Sequence, residues 1–316
     1  MLQIGVAGYG KLGRGVIQAL AQQPDMELAA LFSRRVIDHP LYRPWEAITE
    51  NCVDVLLLCG GSATDLPEQG PHAAKLVHTV DSFDTHPKIP AYFAAVDEAA
   101  RTSGHVSLIS TGWDPGLFSI QRLIMEAALP VGETFTFWGP GVSQGHSDAI
   151  RHIPGVLAAA QYTLPIEEAA DAIRQGQGHG LTSQTMHTRL CYVVAGQNED
   201  REAIRQAICT MPSYFAGYQT EVRFITQEEF DAQHTELPHG GRVIRHGVSQ
   251  SGHIHQTEFS LQLESNPAFT ALFAVCSARA VCRLAQEGRT GAVTVLDIPP
   301  AYYSALSPEE QRQRLL

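Results

Sequence analysis

The sequence predicts an α/β fold with a doubly wound parallel sheet, followed by a second unit of the α+β type. Short β-rich runs alternate with helix-like stretches in the first third of the chain, which is the pattern of βαβ units. A glycine-rich turn joins the first predicted strand to the first predicted helix. After Gly116 the pattern changes to longer strands of alternating apolar and polar residues, which indicates a mostly antiparallel sheet.

The first predicted unit, residues 1–118, has the strands of a parallel sheet. Residues 53–59 are apolar almost without interruption, so we expect that strand to be buried on both faces. The predicted strands are residues 2–7, 27–32, 53–59, 77–80 and 106–110, and the predicted helices are residues 12–22 and 90–101.

The second predicted unit is residues 119–266. Its predicted strands are residues 134–138, 189–194, 213–224 and 253–263, with a helix at 166–174 and a glycine-rich turn at 176–180. Residues 267–287 are predicted as one long helix, because Pro267 stands at its start and Gly288 just past its end. We expect residues 267–316 to pack back on the first unit.

The composition is that of a globular protein. The 316 residues are 44% hydrophobic with a net charge of −11, which disfavours general binding to nucleic acids. The sequence shows neither a basic leader nor a run of about 18 apolar residues, so we expect neither secretion nor a membrane span. The six cysteines form no CxxC pair and several lie in apolar runs. We therefore expect reduced thiols in a cytoplasmic protein.

The turn after the first strand reads Gly8-Tyr9-Gly10-Lys11-Leu12-Gly13, a GxGxxG pattern. In such a turn the first glycine permits the bend, the second lets the backbone approach a pyrophosphate, and the third lets helix and strand pack closely. The free N–H groups at the start of the helix attract the anion. The strand before the pattern and the helix after it predict a Rossmann-type dinucleotide site, with an ordinary glycine-rich turn as the alternative.

The end of the second predicted strand indicates which dinucleotide is preferred. An NAD-preferring site usually has an acidic residue there, which binds the ribose 2′-hydroxyl. This chain has Ser33-Arg34-Arg35 instead, and arginine binds a phosphate with two parallel hydrogen bonds. The segment therefore favours NADP, whereas a solvated pair of surface arginines is the alternative.

The later strands of the first unit end in polar loops, which meet at one edge of a parallel sheet. Asp84 and Asp114 follow the fourth and fifth strands and would hold a substrate ammonium or take its proton, with Trp113 beside the nicotinamide. The segment from Asp114 to Gly116 also fits a plain turn or a helix cap. Residues expected to contact the cofactor are Cys59, Gly60, Gly61, Ser62, Ala63, Thr64 and Ser82, unless the loop at 59–65 is only a connector.

The second unit contains a glycine-rich polar run and several histidines. The run, residues 137–148, would offer backbone donors to a carboxylate or would form only a bend. The His253-x-His255 pair would allow two metal ligands on one strand, but the sequence supplies no third ligand at a convincing spacing. We therefore expect no metal.

Together these segments resemble the meso-diaminopimelate dehydrogenase family over nearly the whole chain. Besides the glycine loop and Phe32-Ser33-Arg34-Arg35, the resemblance rests on Ser62-Ala63-Thr64-Asp65, Ser110-Thr111-Gly112-Trp113-Asp114-Pro115-Gly116, Trp138-Gly139-Pro140-Gly141, Ser143-Gln144-Gly145-His146-Ser147-Asp148 and Leu237-Pro238-His239-Gly240-Gly241. It implies an NADP-dependent homodimeric dehydrogenase that deaminates the D-centre of meso-2,6-diaminopimelate. It also implies that residues 119–266 bind the substrate and form the dimer.

The resemblance also implies roles for individual residues. Asp84 and Asp114 would hold the reacting amino group, with Asp114 the better candidate for the general base, and Trp113 and Trp138 would shape the pocket. Gln144 and Asp148 would lie near the substrate. The distal L-centre would be bound by Thr163, Arg189, His239 and Asn266. Each of these four also has a simpler interpretation: a turn, an ion pair, a loop and a helix cap, respectively.

Two other functions fit the same first unit. One is another NADP-linked reductase of the aspartate pathway, which would need no ammonia in the reductive direction. The other is a protein that senses NADP(H) without catalysis, which would need the glycine loop but not the convergence of Asp84, Asp114 and Trp113.

Overall fold

The first strands of the chain lie side by side as the βαβ pattern predicts. The computed structural model describes residues 1–316, and they divide into one unit of residues 1–120 with 267–316 and another of residues 121–266. The first unit has one seven-stranded sheet in the order β14-β6-β5-β4-β1-β2-β3, and all its strand pairs are parallel. The strands are β1 (Leu2–Ala7), β2 (Met26–Ser33), β3 (Tyr42–Pro44), β4 (Val55–Leu58), β5 (Thr79–Asp81), β6 (Val106–Leu108) and β14 (Gly291–Val293).

Helices cover both faces of this sheet. The helices of the first unit are α1 (Lys11–Leu20), α2 (Leu66–Ala74), α3 (Ile89–Ser103), α10 (Asn266–Gln286) and α11 (Pro308–Leu315); the division between the units falls within α4 (Leu117–Ala128). Val55 and Leu57 of β4 pack in the cluster that contains α1 and α10, whereas Leu56 and Leu58 pack with α2 and α3. The doubly wound parallel sheet, with a strand buried on both faces, is thus confirmed.

The long helix α10 is a core helix by its contacts. By length and composition alone it is apolar enough to cross a membrane, although 56% of its most apolar window is buried inside the protein. Arg279 of this helix is only 3% exposed and pairs with Asp25, whose pKa the Arg279 hydrogen bond holds below its usual value. Gly288, with φ +79°, ends the helix as predicted.

The second unit has two sheets with mostly antiparallel pairs. The four-stranded sheet has the order β11-β10-β9-β8, and the three-stranded sheet has the order β13-β12-β7. Only the pair of β10 and β11 is parallel. The strands are β7 (Gly132–Trp138), β8 (Gly141–Val142), β9 (Val156–Pro165), β10 (His187–Ala195), β11 (Gln219–Phe224), β12 (His239–Val248) and β13 (Ile254–Leu263).

Short helices accompany these sheets: α5 (Gln144–Arg151), α6 (Glu167–Arg174), α7 (Ser183–Met186), α8 (Arg201–Cys209) and α9 (Gln227–Gln233). The predicted strand at 213–224 is wrong in its first half, because β11 begins only at Gln219. Ser213 and Gly217 have positive φ angles, so the chain turns there, and Phe215 is fully buried and fixes the turn to the core. The assignment of dinucleotide binding to one unit, and of substrate binding and dimerisation to the other, stays a prediction.

Candidate active site

The glycine loop has the geometry that a dinucleotide requires. Gly8 has φ +111°, and a Cβ on Gly13 would lie 2.0 Å from the Gly8 carbonyl oxygen, so helix α1 packs directly against the end of β1. A Cβ on Gly10, by contrast, would meet no atom within 4 Å. The backbone beside Gly10 is therefore open at the point where α1 begins, and the residues fit a pyrophosphate.

The end of β2 carries cationic side chains. Arg34 and Arg35 are exposed, and the Arg34 guanidinium pairs with Asp65 from the loop after β4. The Ser33 hydroxyl accepts a hydrogen bond of 3.1 Å from the Arg35 N–H. The end of this strand therefore presents a hydroxyl and two guanidinium groups, as a 2′-phosphate requires.

The loop after β4 is connected to the loop that carries Asp84. Asp65 accepts a hydrogen bond of 2.8 Å from the Gly61 N–H, which closes the loop on itself. The Ser62 hydroxyl accepts a hydrogen bond of 2.9 Å from the Asp84 N–H and another of 3.2 Å from the Thr85 N–H. The predicted cofactor loop and the predicted catalytic loop therefore have a fixed position relative to each other.

A carboxylate that we did not predict as a site residue, Asp81, links the ends of β5 and β6. Its Oδ1 accepts hydrogen bonds of 2.9 Å from the Phe83 N–H and 3.0 Å from the Ser110 N–H. Its Oδ2 accepts one of 2.6 Å from the Tyr92 hydroxyl. Burial raises the pKa of Asp81, although these hydrogen bonds oppose the rise. In the sequence, Asp81 is distinguished only by its position at the end of a strand, three residues before Asp84.

The predicted catalytic residues lie on the two loops that Asp81 links. Asp84 is exposed on the loop after β5, and Asp114 is partly buried on the loop after β6, before a cis peptide bond to Pro115. Trp113 is only 7% exposed, and its ring meets the Phe118 ring edge-on at a centroid distance of 5.3 Å. Asp84, Trp113 and Asp114 thus belong to one edge of the parallel sheet, as the strand pattern predicted.

In the second unit, a buried neutral histidine fixes the strand end that carries Trp138. The Trp138 N–H donates a hydrogen bond of 2.9 Å to Nε2 of His187, and the opposite ring nitrogen lies 2.9 Å from the Ser183 carbonyl oxygen. Burial lowers the pKa of His187 to about 4, so the ring is neutral at pH 7. A neutral ring with Nδ1 protonated satisfies both contacts.

The polar run after Trp138 forms strand β8 and helix α5 rather than a simple bend. Gln144 is the first residue of α5 and is exposed. Asp148, one turn later, is also exposed and pairs with Arg151 at 3.1 Å. His146 lies between them, and burial together with the Arg189 guanidinium lowers its pKa to about 4.

Thr163 and Arg189 face each other on paired strands. They are partners in the antiparallel register of β9 and β10, and Nη1 of Arg189 donates a hydrogen bond to the Thr163 hydroxyl. Arg189 is 8% exposed and lies over the Tyr218 ring, with Cζ 4.1 Å from the ring centroid. Its Nε has no hydrogen-bond partner, and no carboxylate of the protein pairs with it. Burial lowers the pKa of this guanidinium.

The remaining two predicted residues stand where strands and helices begin. His239 is the first residue of β12, and its Nδ1 accepts a hydrogen bond of 2.8 Å from the Gly240 N–H. Asn266 is the first residue of α10, and its N–H donates a hydrogen bond of 2.9 Å to the Leu237 carbonyl oxygen. His239 therefore ends the segment Leu237–His239, and Asn266 is hydrogen-bonded to the residue that begins it.

The other groups with reactive chemistry form no further centre. The six cysteines are free thiols, and burial raises the pKa of Cys59 to about 12. No group of three or more His, Cys, Asp or Glu side chains is arranged to hold a metal. The polar groups of the candidate site are therefore the carboxylates of the first unit, the buried Arg189 guanidinium and the glycine loop.

The chain is similar to known proteins over its full length. Residues 112–265 match the profile of the diaminopimelic acid dehydrogenase C-terminal domain. Meso-diaminopimelate D-dehydrogenase of Lysinibacillus sphaericus is 52% identical over 100% of this chain and 99% of its own length. The DAP dehydrogenase of Corynebacterium glutamicum, solved in complex with DAP, has a TM-score of 0.95 at 45% identity over 100% of this chain and 99% of its own.

An engineered D-amino acid dehydrogenase bound to NADP⁺ has a TM-score of 0.89 at 44% identity, over 100% of this chain and 99% of its own. Identity of this level over the full length, together with the matching fold, establishes the family that the sequence segments indicated. The chain belongs to the meso-diaminopimelate dehydrogenase family.

Proposed function

We propose that the protein catalyses the reversible, NADP-dependent oxidative deamination of meso-2,6-diaminopimelate at its D-centre. The substrate, NADP⁺ and water give L-2-amino-6-oxopimelate, ammonium, NADPH and a proton. The α-carbon loses a hydride, the amine becomes an imine, and water hydrolyses the imine. The family and its DAP-bound member support this substrate.

The observation that carries the proposal is the buried Arg189 without a carboxylate partner. A buried guanidinium costs free energy unless an anion neutralises it. A protein that keeps such a charge unpaired has a place for the carboxylate of a ligand. Thr163, His239 and Asn266 would complete the binding of the distal L-centre, while Gln144, Asp148 and Trp138 would lie along the rest of the substrate.

NADP fits the residues of the first unit. The opening beside Gly10 suits the pyrophosphate, and the cationic end of β2 suits the 2′-phosphate. The family member solved with NADP⁺ supports the same cofactor. When bound, its nicotinamide supplies the acceptor for the hydride of the substrate α-carbon.

The carboxylates at the edge of the parallel sheet would prepare the substrate amine for loss of the hydride from the α-carbon. An ammonium carries no lone pair with which to form an imine, so a carboxylate must first accept its proton. Asp114 would take the proton, and Asp84 would hold the amino group by a charge-assisted hydrogen bond. Trp113 would exclude water from the reacting carbon, since its indole is almost fully buried.

The direct test of the proposed function is a coupled measurement of cofactor and ammonia. Purified protein with NADP⁺ and meso-diaminopimelate should form reduced cofactor and release one ammonia for each NADPH. The reverse reaction should require ammonia. Reduction of a substrate without ammonia would instead support a reductase, and absence of turnover despite tight NADP binding would support a sensing protein.

The assembly and location belong to the same proposal. We propose a homodimer in the cytoplasm, on the resemblance to the family and on the six free thiols. Light scattering coupled to size-exclusion chromatography would give twice the chain mass of 34.4 kDa. A monomer under assay conditions would contradict this part without affecting the reaction.

Gly10→Ala should separate nucleotide binding from folding. Its Cβ meets no protein atom within 4 Å, so the melting temperature should stay unchanged. The methyl group would occupy the space of the pyrophosphate, and the dissociation constant for NADP⁺ should rise by about 10- to 100-fold. Gly13→Ala is the contrasting variant, because its Cβ would lie 2.0 Å from a backbone oxygen and should lower the melting temperature as well. Unchanged NADP⁺ affinity in Gly10→Ala would contradict the loop assignment.

Arg35→Ala should reduce the preference for NADP⁺ over NAD⁺. The guanidinium would contact only the 2′-phosphate, so the KM for NADP⁺ should rise about tenfold while the KM for NAD⁺ stays constant. Initial rates with both cofactors measure the change. Arg312→Ala, at an exposed position of α11, is the charge-matched control. An equal rise in KM for both cofactors would show that Arg35 does not bind the 2′-phosphate.

A further inference from the structure

A buried polar cluster lies beneath the loops that carry Asp84 and Asp114. Its members are Asp81, Phe83, Tyr92 and Ser110, of which Asp81 is 2% exposed and Ser110 6%. We call these four residues the Asp81 cluster. None of them has a role in the proposed chemistry, yet the cluster contains an acidic side chain buried at the end of β5, which is costly unless its hydrogen bonds are satisfied.

Asp81 hydrogen-bonds to the start of both loops. One carboxylate oxygen accepts hydrogen bonds from the N–H of Phe83, the residue before Asp84, and from the N–H of Ser110, the second residue after β6. The Asp81 carbonyl oxygen accepts from both the N–H and the hydroxyl of Thr111, at 2.8 and 2.9 Å. One residue thus sets the spacing between the chain segments that lead to Asp84 and to Asp114.

The second carboxylate oxygen is held by Tyr92 of helix α3. The Tyr92 hydroxyl donates to it at 2.6 Å, and the Tyr92 ring stacks on Phe83 at a centroid distance of 4.1 Å. Gly70 of α2 makes this possible, because a Cβ there would lie 2.0 Å from the hydroxyl oxygen. Helix α3 therefore fixes the rotamer of Asp81.

Ser110 shows that the cluster holds a backbone conformation that is unfavourable by itself. Its φ of +58° lies in the left-handed region, which a non-glycine residue adopts only at a cost in free energy. The Ser110 hydroxyl is buried without a partner, so the N–H bond to Asp81 is its main polar anchor. The turn from β6 into Trp113 and Asp114 starts from this residue.

We infer that Asp81 is a positioning residue for the dehydrogenase reaction: through Phe83 and Ser110 it sets the placement of Asp84 and Asp114 toward the substrate amine. This inference rests on the proposed function. It assigns Asp81 no contact with substrate or cofactor, and it makes Tyr92 the residue that orients it.

The test compares Asp81→Asn and Tyr92→Phe with a matched control on the same strands. Thr79→Val removes the buried 2.9 Å hydrogen bond between Thr79 of β5 and Ser107 of β6, two positions before Asp81 and away from the loops. Each variant is assayed below its melting temperature for kcat, for the KM of meso-diaminopimelate and for the dissociation constant of NADP⁺. Tyr92→Phe keeps the stacked ring and removes only the hydroxyl.

We expect Asp81→Asn to lower kcat about 100-fold, because a displacement of about 1 Å at a catalytic group has that effect. Tyr92→Phe should lower kcat about tenfold, while KM and NADP⁺ affinity change by less than about threefold in both variants. Thr79→Val should lose thermal stability but keep kcat within about twofold of the unmodified protein.

A kcat that falls as far in Thr79→Val as in Asp81→Asn would overturn the inference, since the effect would then reflect general loosening of the sheet. Unchanged kcat in both cluster variants would also overturn it. Absence of turnover in the unmodified protein would refute the proposed function instead, so the two failures are distinguishable.

Discussion

Asp114→Asn should lower kcat for meso-diaminopimelate by about 10²- to 10⁴-fold, the usual contribution of a general base. An asparagine side chain has nearly the same shape, but its amide has no lone pair basic enough to accept the ammonium proton. The variant should still bind NADP⁺ with its normal affinity, because the glycine loop and the end of β2 are unchanged. Steady-state rates at saturating substrate, together with NADP⁺ titration, measure the two quantities separately.

Two controls make this result specific. Glu50→Gln removes a carboxylate at an exposed position of the same unit and should leave kcat unchanged. Asp84→Asn should lower kcat less than Asp114→Asn, because an amide oxygen still accepts a hydrogen bond from the amino group. If Asp84→Asn were the more severe change, the roles of the two carboxylates would be reversed.

The parallel sheet was predictable because each of its long strands has a local signal. Residues 53–59 are apolar on both faces, and the glycine loop marks the junction of β1 and α1. The strands β3 and β14 were missed. Their sequences, Tyr42-Arg43-Pro44 and Gly291-Ala292-Val293, contain no run of large apolar or β-branched residues, and only pairing with a neighbouring strand makes each of them a strand.

The Asp81 cluster shows what a local pattern cannot reveal. The sequence places a polar residue after an apolar run, and from that alone Asp81 and Asp84 are equivalent. Only the fold shows that Asp81 is buried and accepts a hydrogen bond from Ser110, a residue distant in sequence, whereas Asp84 is exposed. The contact with Tyr92 depends on the packing of α3 against α2, which no sequence spacing encodes.

The contact between Thr163 and Arg189 also depends on the fold and could not be predicted from local sequence. The strand β9 was not predicted, so a turn remained a reasonable interpretation of Thr163 and an ion pair a reasonable interpretation of Arg189. The register of β9 and β10 places the two side chains together, and the structure provides no acid for the guanidinium. The sequence shows the residue types, but only the register of β9 and β10 shows that Thr163 and Arg189 contact each other.

Arg189→Met should raise the KM for meso-diaminopimelate by about 100-fold or more, since truncating a buried charged partner costs about 2–5 kcal/mol of binding. The kcat at saturating substrate should change little, because the distal centre takes no part in hydride transfer. The methionine side chain can lie over the Tyr218 ring where the arginine stem does now. Rates over a wide range of substrate concentration measure both constants.

The melting temperature of the protein without ligand is the strongest control for this prediction. The guanidinium is buried and has no carboxylate partner, so replacing it with an apolar side chain of similar length should leave the melting temperature equal or higher. A D-amino acid without a distal carboxylate should show no loss of activity in Arg189→Met relative to the unmodified protein. A large fall in melting temperature, or an equal loss with both substrates, would mean that Arg189 supports the fold. A fall in kcat at constant KM would mean that it acts on the reacting centre.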